Sequence, residues 1–277
     1  ELFPGTVGRF VLDGAIDPAL PAATFLAEQA AGFEEDLRDF ERWCSSRASC
    51  AGSFTTGVVA SVDRLLSRLD SGVTLPVAAS LAPPGSRLDD GLALTGILAG
   101  LYSTSSWLFL GQAIAAAAAG SGSELLDLAD SYAGISPGGS ASNALAANVA
   151  INCVDRRWPS SVPAIERLVP RLARVAPVFG PSEAWGSLAC GFWPVPPGRG
   201  GAVHLSRPLP ILVVGSTRDP ATPYAWARAL VSQLTGSRLL TRVGDGHTAY
   251  FASACIATWV NRYLVTGELP PAGTVCR

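Results

Sequence analysis

An apolar run with no polar interruption, PLPILVVG at 208–215, constrains this chain more than any other feature. It is too short for a core helix and is followed by turn residues, the pattern of a parallel strand buried on both faces. Parallel strands need long crossovers, usually helical, so helices must flank this one. On its carboxyl side the pattern supplies them. Thr222 can cap a helix running to about Leu234, with Pro223 in its first turn, where the missing N–H costs nothing. A second strand follows at 237–243 (SRLLTRV), then the tight loop Gly244-Asp245-Gly246-His247 and a helix over 250–264. The apolar stripe of that helix is Ile256, Trp259, Val260, Tyr263 and Leu264. On the amino side a comparable short strand, VGRFVL at 7–12, ends at Asp13-Gly14.

Between these strands the pattern is helical. Leu26, Ala30, Phe33, Leu37, Phe40 and Cys44 recur at steps of four and three, one face of a helix. Its acids, Glu28, Glu35, Asp36, Asp39 and Glu41, read as a solvated face. Further helices are expected over 57–69, 91–101, 106–119, 124–133, 140–152 and 165–175, with loops such as 82–86 and 136–142, and no strand-period segment between about Ala23 and Val178. The stretch 92–119 is strongly apolar, but Ser103 to Ser106 and Gln112 interrupt it below the ~18 residues of a membrane span, so two buried helices are expected. The fold class is therefore α/β: a partial parallel sheet with a large helical insertion. The expected division is 1–22 as the start of the core, 23–200 as a helical lid, and 201–277 as the carboxyl-terminal core.

Charge narrows the function. Only 15% of the 277 residues are charged, the net charge is −2, and every basic residue is Arg, with no basic run. That excludes the electrostatic footprint of a nucleic-acid binder. The chain has no Met and starts at Glu1, so a piece of a longer protein is expected. Six Cys without a C-x-x-C, and only two His, make a metal centre or cofactor unexpected. An even Cys count points to disulfides and an oxidising compartment. Of the 15 possible connectivities, the sequential one is expected: Cys44 with Cys50, Cys153 with Cys190, Cys255 with Cys276.

In parallel α/β sheets the chemistry sits at the carboxyl ends of the strands. Asp13, Asp219 and His247 fall there. Adjacent parallel strands lie ~4.8 Å apart, so the loops carrying Asp219 and His247 can touch. A carboxylate beside an imidazole fixes its tautomer and stabilises the imidazolium, which suits the ring to deprotonate a hydroxyl nucleophile. Asp219 and His247 are thus the expected acid and base of a Ser-His-Asp triad, with Asp13 as rival acid. Asp219 also suits a helix-capping role. His204 is expected at the surface. One Gly-x-Ser-x-Gly match exists, Gly134-Ile135-Ser136-Pro137-Gly138. It follows a helix rather than a strand, and Pro137 lacks the N–H that an oxyanion hole takes from the residue after the nucleophile. The match is read as a decoy, and no other elbow is found.

These residues resemble a family. Glu1-Leu-Phe-Pro with Val7 to Gly14, Leu101-Tyr102-Ser103, Ser142-Asn143-Ala144, Ala150 to Cys153 with Asp155, Ala189-Cys190, Gly215 to Pro223, Gly244 to His247 and Gly273 to Cys276 are similar to segments of secreted actinobacterial α/β-hydrolases, the tripeptidyl-aminopeptidase-like serine peptidases. The resemblance implies a secreted or envelope exopeptidase acting on the free amino termini of peptides, without transmembrane segment or cofactor, with Asp219 as acid, His247 as base and the helical insert as lid. It implies a nucleophile elbow on the order of a dozen residues before Glu1, so that the chain alone is expected to be inactive and to need that amino-terminal segment as partner, its first strand leaving an open, association-prone edge. Lid carboxylates for the substrate ammonium are sought at Asp155 and Glu183. Trp107, Trp193 and Tyr102 are expected mainly to pack the core. An esterase of the same fold and a non-catalytic binding remnant are the alternatives.

Overall fold

The computed structural model describes residues 1–78, 85–136, 139–198 and 200–277. Its strands are β1 (Val11–Asp13), β2 (Leu75–Pro76), β3 (Arg87–Leu88), β4 (Leu212–Arg218), β5 (Arg238–Asp245) and β6 (Val275–Cys276). Its helices up to the middle of the chain are α1 (Ala22–Ser45), α2 (Ala48–Ala51), α3 (Val58–Asp70), α4 (Asp90–Leu101), α5 (Trp107–Ala119) and α6 (Ser123–Ala133). Then follow α7 (Ala144–Asp155), α8 (Val162–Val175), α9 (Gly180–Gly186), α10 (Leu188–Gly191), α11 (Tyr224–Gln233) and α12 (Ala254–Thr266).

Four parallel strands form one sheet in the order β1-β4-β5-β6. Arg218 stands opposite Asp245, so the exits of β4 and β5 lie side by side, whereas β1 ends earlier, with Asp13 opposite Val214. The chain leaves the sheet after β1 and returns only at β4, with ten α-helices in between among the described residues. The apolar stripe read from the sequence on α1, from Leu26 to Cys44, is buried throughout. The largest core cluster packs α1 with α3, α4, α5 and α6 through Phe33, Phe40, Leu65, Ile97, Trp107, Leu110 and Leu125. A second core packs the sheet against α12 through Leu212, Val214, Leu240, Ile256, Val260 and Tyr263. The 92–119 stretch forms two helices bent by 116°, and no single helix among the described residues is long and apolar enough to cross a membrane.

Several expectations are corrected. The strand expected at 208–215 starts at Leu212, because Pro208 and Pro210 cannot donate to a ladder, and it continues to Arg218. Asp219 therefore leaves the sheet directly. The strand expected at 7–12 shrinks to Val11–Asp13 and forms an edge. A two-residue antiparallel pair, β2 with β3, lies within the helical region, too short to give an alternation signal. Thr222 does not cap α11: Pro223 occupies that position without a side-chain bond. The helix expected from Tyr250 starts at Ala254, capped by the Ser253 hydroxyl. The helix expected from Ser140 starts at Ala144, because Ser140 and Ser142 bond back to Ser136 and Gly134. Part of the loop expected over 82–86 lies outside the described residues.

The acids of α1 are the largest correction. Asp36 and Asp39 are buried, Glu28 and Glu41 partly so, and only Glu35 is exposed. The free face narrows to Glu35, Arg38 and Arg42 because a second side of the helix lies against the exits of β4 and β5. Gly32 shows how close: a Cβ there would stand 2.5 Å from the Pro220 carbonyl oxygen.

The six cysteines form three disulfides: Cys44 with Cys50, Cys153 with Cys190, and Cys255 with Cys276. The second joins α7 to α10, and the third ties β6 to the start of α12.

Candidate active site

The exits of β4 and β5 bring Asp219 and His247 together. His247 Nδ1 lies 2.9 and 3.1 Å from the two carboxylate oxygens of Asp219. That carboxylate is 3% exposed and also accepts N–H groups from Ala221, Thr222 and Thr248 at 2.8–3.1 Å. The capping role and the imidazole-holding role are thus filled by one side chain. Three backbone donors hold this buried carboxylate fixed in direction.

The His247 loop is held on every side. The His247 N–H donates to the Tyr102 carbonyl at 2.8 Å, and the Tyr102 ring stands edge-on to the imidazole with centroids 5.2 Å apart. Gly246 has φ +102, a conformation side chains resist, and a Cβ there would press on the Tyr102 carbonyl at 3.1 Å. Thr248 is β-branched yet has φ 62. Such a backbone costs on the order of 1–3 kcal/mol and persists only where the surroundings impose it. Here Asp219 and Asp13 impose it: Thr248 donates to the first, Ala249 and Tyr250 to the second at 2.9–3.0 Å. Asp13 therefore clamps the turn and does not meet the imidazole. Thr222 Oγ1, missed as a site residue, lies 3.3 Å from Nδ1.

The ring opens on a cavity of about 420 Å³ walled by the helical region. Phe25, Gln29 and Phe33 come from α1, Asn148 and Asn152 from α7, Glu183 from α9, with Tyr102, Tyr132 and Trp158. Gly14, after β1, completes the floor, where a Cβ would meet His247 Cε1 at 2.9 Å. Gln29 donates to the Ala221 carbonyl at 2.6 Å and so fastens α1 to the acid's loop. Tyr102 serves both core and cavity, whereas Trp107 is buried in the core.

The two lid carboxylates part company. Glu183 shares the cavity with His247. It keeps partial exposure to that space, while the surrounding protein desolvates its carboxyl and pushes its pKa up to about 7. Asp155, at the end of α7, lines a different cavity beside Arg156 and His204. His204 is exposed. In the Gly-x-Ser-x-Gly match, Gly134 ends α6 and Ser136 belongs to a back-folded loop; Pro137 and Gly138 lie outside the described residues. Ser136 is not among the residues lining the His247 cavity. Among the described residues nothing hydrogen-bonds His247 Nε2, so all three polar contacts of the ring are made by Nδ1.

Residues 176–276 match a family model described as TAP-like protein. Serine protease Hip1 of Mycobacterium tuberculosis is 34% identical over 286 residues, which cover 100% of this chain and 54% of that protein. Carboxylesterase B of the same organism is also 34% identical, over 100% of this chain and 53% of its own length. Tripeptidyl aminopeptidase of Streptomyces lividans is 29% identical, over 99% and 51%. The chain spans about half the length of the curated relatives it matches. The parallel sheet and helical insertion have the arrangement of an α/β-hydrolase, and the acid and histidine loops lie within the segment 176–276 that matches the TAP-like family.

Proposed function

We propose that this chain carries the acid and the base of a serine hydrolase that releases short peptides from free amino termini. Asp219 accepts the Nδ1 proton of His247, which leaves Nε2 of the neutral ring as the acceptor. Nε2 takes the proton of a serine hydroxyl as that oxygen attacks the scissile carbonyl; the imidazolium, stabilised by Asp219, returns it to the leaving amine. Water then repeats the sequence on the acyl-enzyme. The serine and the oxyanion donors are assigned to a segment outside these 277 residues, since no described hydroxyl meets Nε2. By this reading the chain alone is inactive, and the segment that supplies the serine is its obligate partner.

The observation that carries the proposal is an imidazole held at Nδ1 by both oxygens of Asp219 and lining a cavity that also holds Glu183. A carboxylate in the same enclosure as the base gives an ammonium group a partner and sets its distance from the scissile bond. The volume, about 420 Å³, suits a few residues rather than a folded polypeptide. Three disulfides support an extracytoplasmic, oxidising location.

The test compares turnover, by the full-length protein, of short peptides with free and acetylated amino termini and of simple acyl esters. Strong preference for the free amine is expected. Equal turnover of blocked peptides removes the role of Glu183, and preference for esters replaces the peptidase with an acyl hydrolase. No turnover of any of them by a folded protein leaves the non-catalytic reading.

A further inference from the structure

Behind the acid's loop, on the far side from the cavity, α1 meets the ends of β4 and β5 through three carboxylates. Asp36 and Asp39 come from α1 and Asp245 from the end of β5, and one oxygen from each lies within 4.8 Å of the others. Two arginines reach this cluster. Arg218 lies 3.3 Å from Asp39 and bonds both oxygens of Asp245, and Arg42 pairs with Asp39. Neither bonds Asp36. That side chain is 2% exposed, points into the cluster, and has no hydrogen-bond partner for either oxygen. Asp39 Oδ2, though near Arg218, makes no hydrogen bond. A carboxylate buried without a partner is costly, so a cation or a proton must answer it.

We propose that Asp36, Asp39 and Asp245 bind a calcium ion that ties α1 to the strand end two residues before His247. Calcium is the choice among hard cations because it accepts irregular shells of six to eight oxygens, whereas Mg²⁺ demands a near-ideal octahedron. Three carboxylates against two arginines leave the cluster negative, and oxygen-only ligands exclude the softer metals. An open cleft of about 240 Å³ lined by Glu35, Asp36 and Arg218 provides the entry path. The ion would complete a set of fastenings along α1: Gln29 and Gly32 on the acid's loop, Asp36 and Asp39 on the histidine's strand. The site does not depend on the reaction assigned above, and its test does not use turnover.

Chelator-treated full-length protein is dialysed against ⁴⁵Ca²⁺. One saturably bound ion per chain is expected. Its affinity should fall roughly tenfold or more in Asp36→Asn and stay within about threefold in Glu35→Gln, whose side chain is exposed. Calcium should raise the melting temperature of the wild type and not of Asp36→Asn. Should Asp36→Asn fail to fold, Asp245→Asn is read the same way. No saturable uptake by the wild type overturns the proposal, and so does uptake that both variants retain. An Asp36→Asn protein that melts higher than wild type without taking up calcium also overturns it, since a proton then answers the buried carboxylate.

Discussion

Asp13 and Asp219 close the carboxyl ends of neighbouring strands. Each leaves a parallel strand at its carboxyl end, and each accepts backbone N–H groups from the turn after His247. Three successive amides are divided between them: Thr248 bonds Asp219, Ala249 and Tyr250 bond Asp13. As clamps on that turn they are alike. The contact that separates them chemically is the 2.9 Å approach of His247 Nδ1 to Asp219. Position at a strand exit therefore makes a carboxylate useful for holding a loop, and only the imidazole makes one of them an acid partner.

Substituting the two acids in the full-length protein breaks or sharpens this comparison. Asp219→Asn should lower kcat by about 10⁴-fold, because an amide lets the ring take the wrong tautomer. Asp13→Asn should leave kcat within about tenfold and act on stability. It weakens charge-assisted bonds to two amides and should cost roughly 1–3 kcal/mol, read as a lower melting temperature. A folded Asp13→Asn protein as inactive as Asp219→Asn would show that the two acids share one catalytic role.

The comparison also explains what could be read in advance. Asp219 and His247 were legible because a buried strand has a strong signature and its exit is one step from the site. Choosing Asp219 over Asp13 needed only chain order. The cavity walls were not legible: Gln29, Asn148, Asn152 and Trp158 come from separate parts of the helical region, and no spacing links them. Glu183 could be suspected from its nearness to Cys190, which the bond to Cys153 draws towards α7. The acids of α1 misled. A periodic apolar stripe identifies one buried face and says nothing of a second, and α1 is buried on both sides.

Glu183 carries the next largest effect and separates the sheet's contribution from that of the helices. Glu183→Gln should raise KM for free-amine peptides and lower kcat/KM by roughly 10- to 100-fold, the worth of one charge-assisted bond. Turnover of esters, which have no ammonium group, should stay near wild type. The pH dependence has a definite sign. Desolvation raises the folded-state pKa of Glu183 from its ordinary 4.5 to about 7. Its stabilising contribution is therefore full below pH 4.5 and lost as pH rises through about 7. Recognition needs the charged form, so KM for free-amine peptides should rise as pH falls through about 7. The Glu183→Gln protein should lose both trends.

Asp155→Asn should have the smallest effect, with kcat and KM within about twofold of wild type for free-amine peptides. Asp155 and Glu183 each sit close to one cysteine of the same disulfide, so linear position does not separate them. Geometry does. Asp155 lies where α7 ends and turns its flank to a cavity shared with Arg156 and His204, whereas Glu183 lines the space in front of His247. A substrate whose scissile bond rests at His247 reaches Glu183 inside one enclosure and reaches Asp155 in none. Steady-state kinetics of the two variants side by side decide it. A loss in Asp155→Asn as large as in Glu183→Gln would mean that the two cavities join when substrate binds, and that the helical layer rearranges over a sheet whose own loops are already fixed.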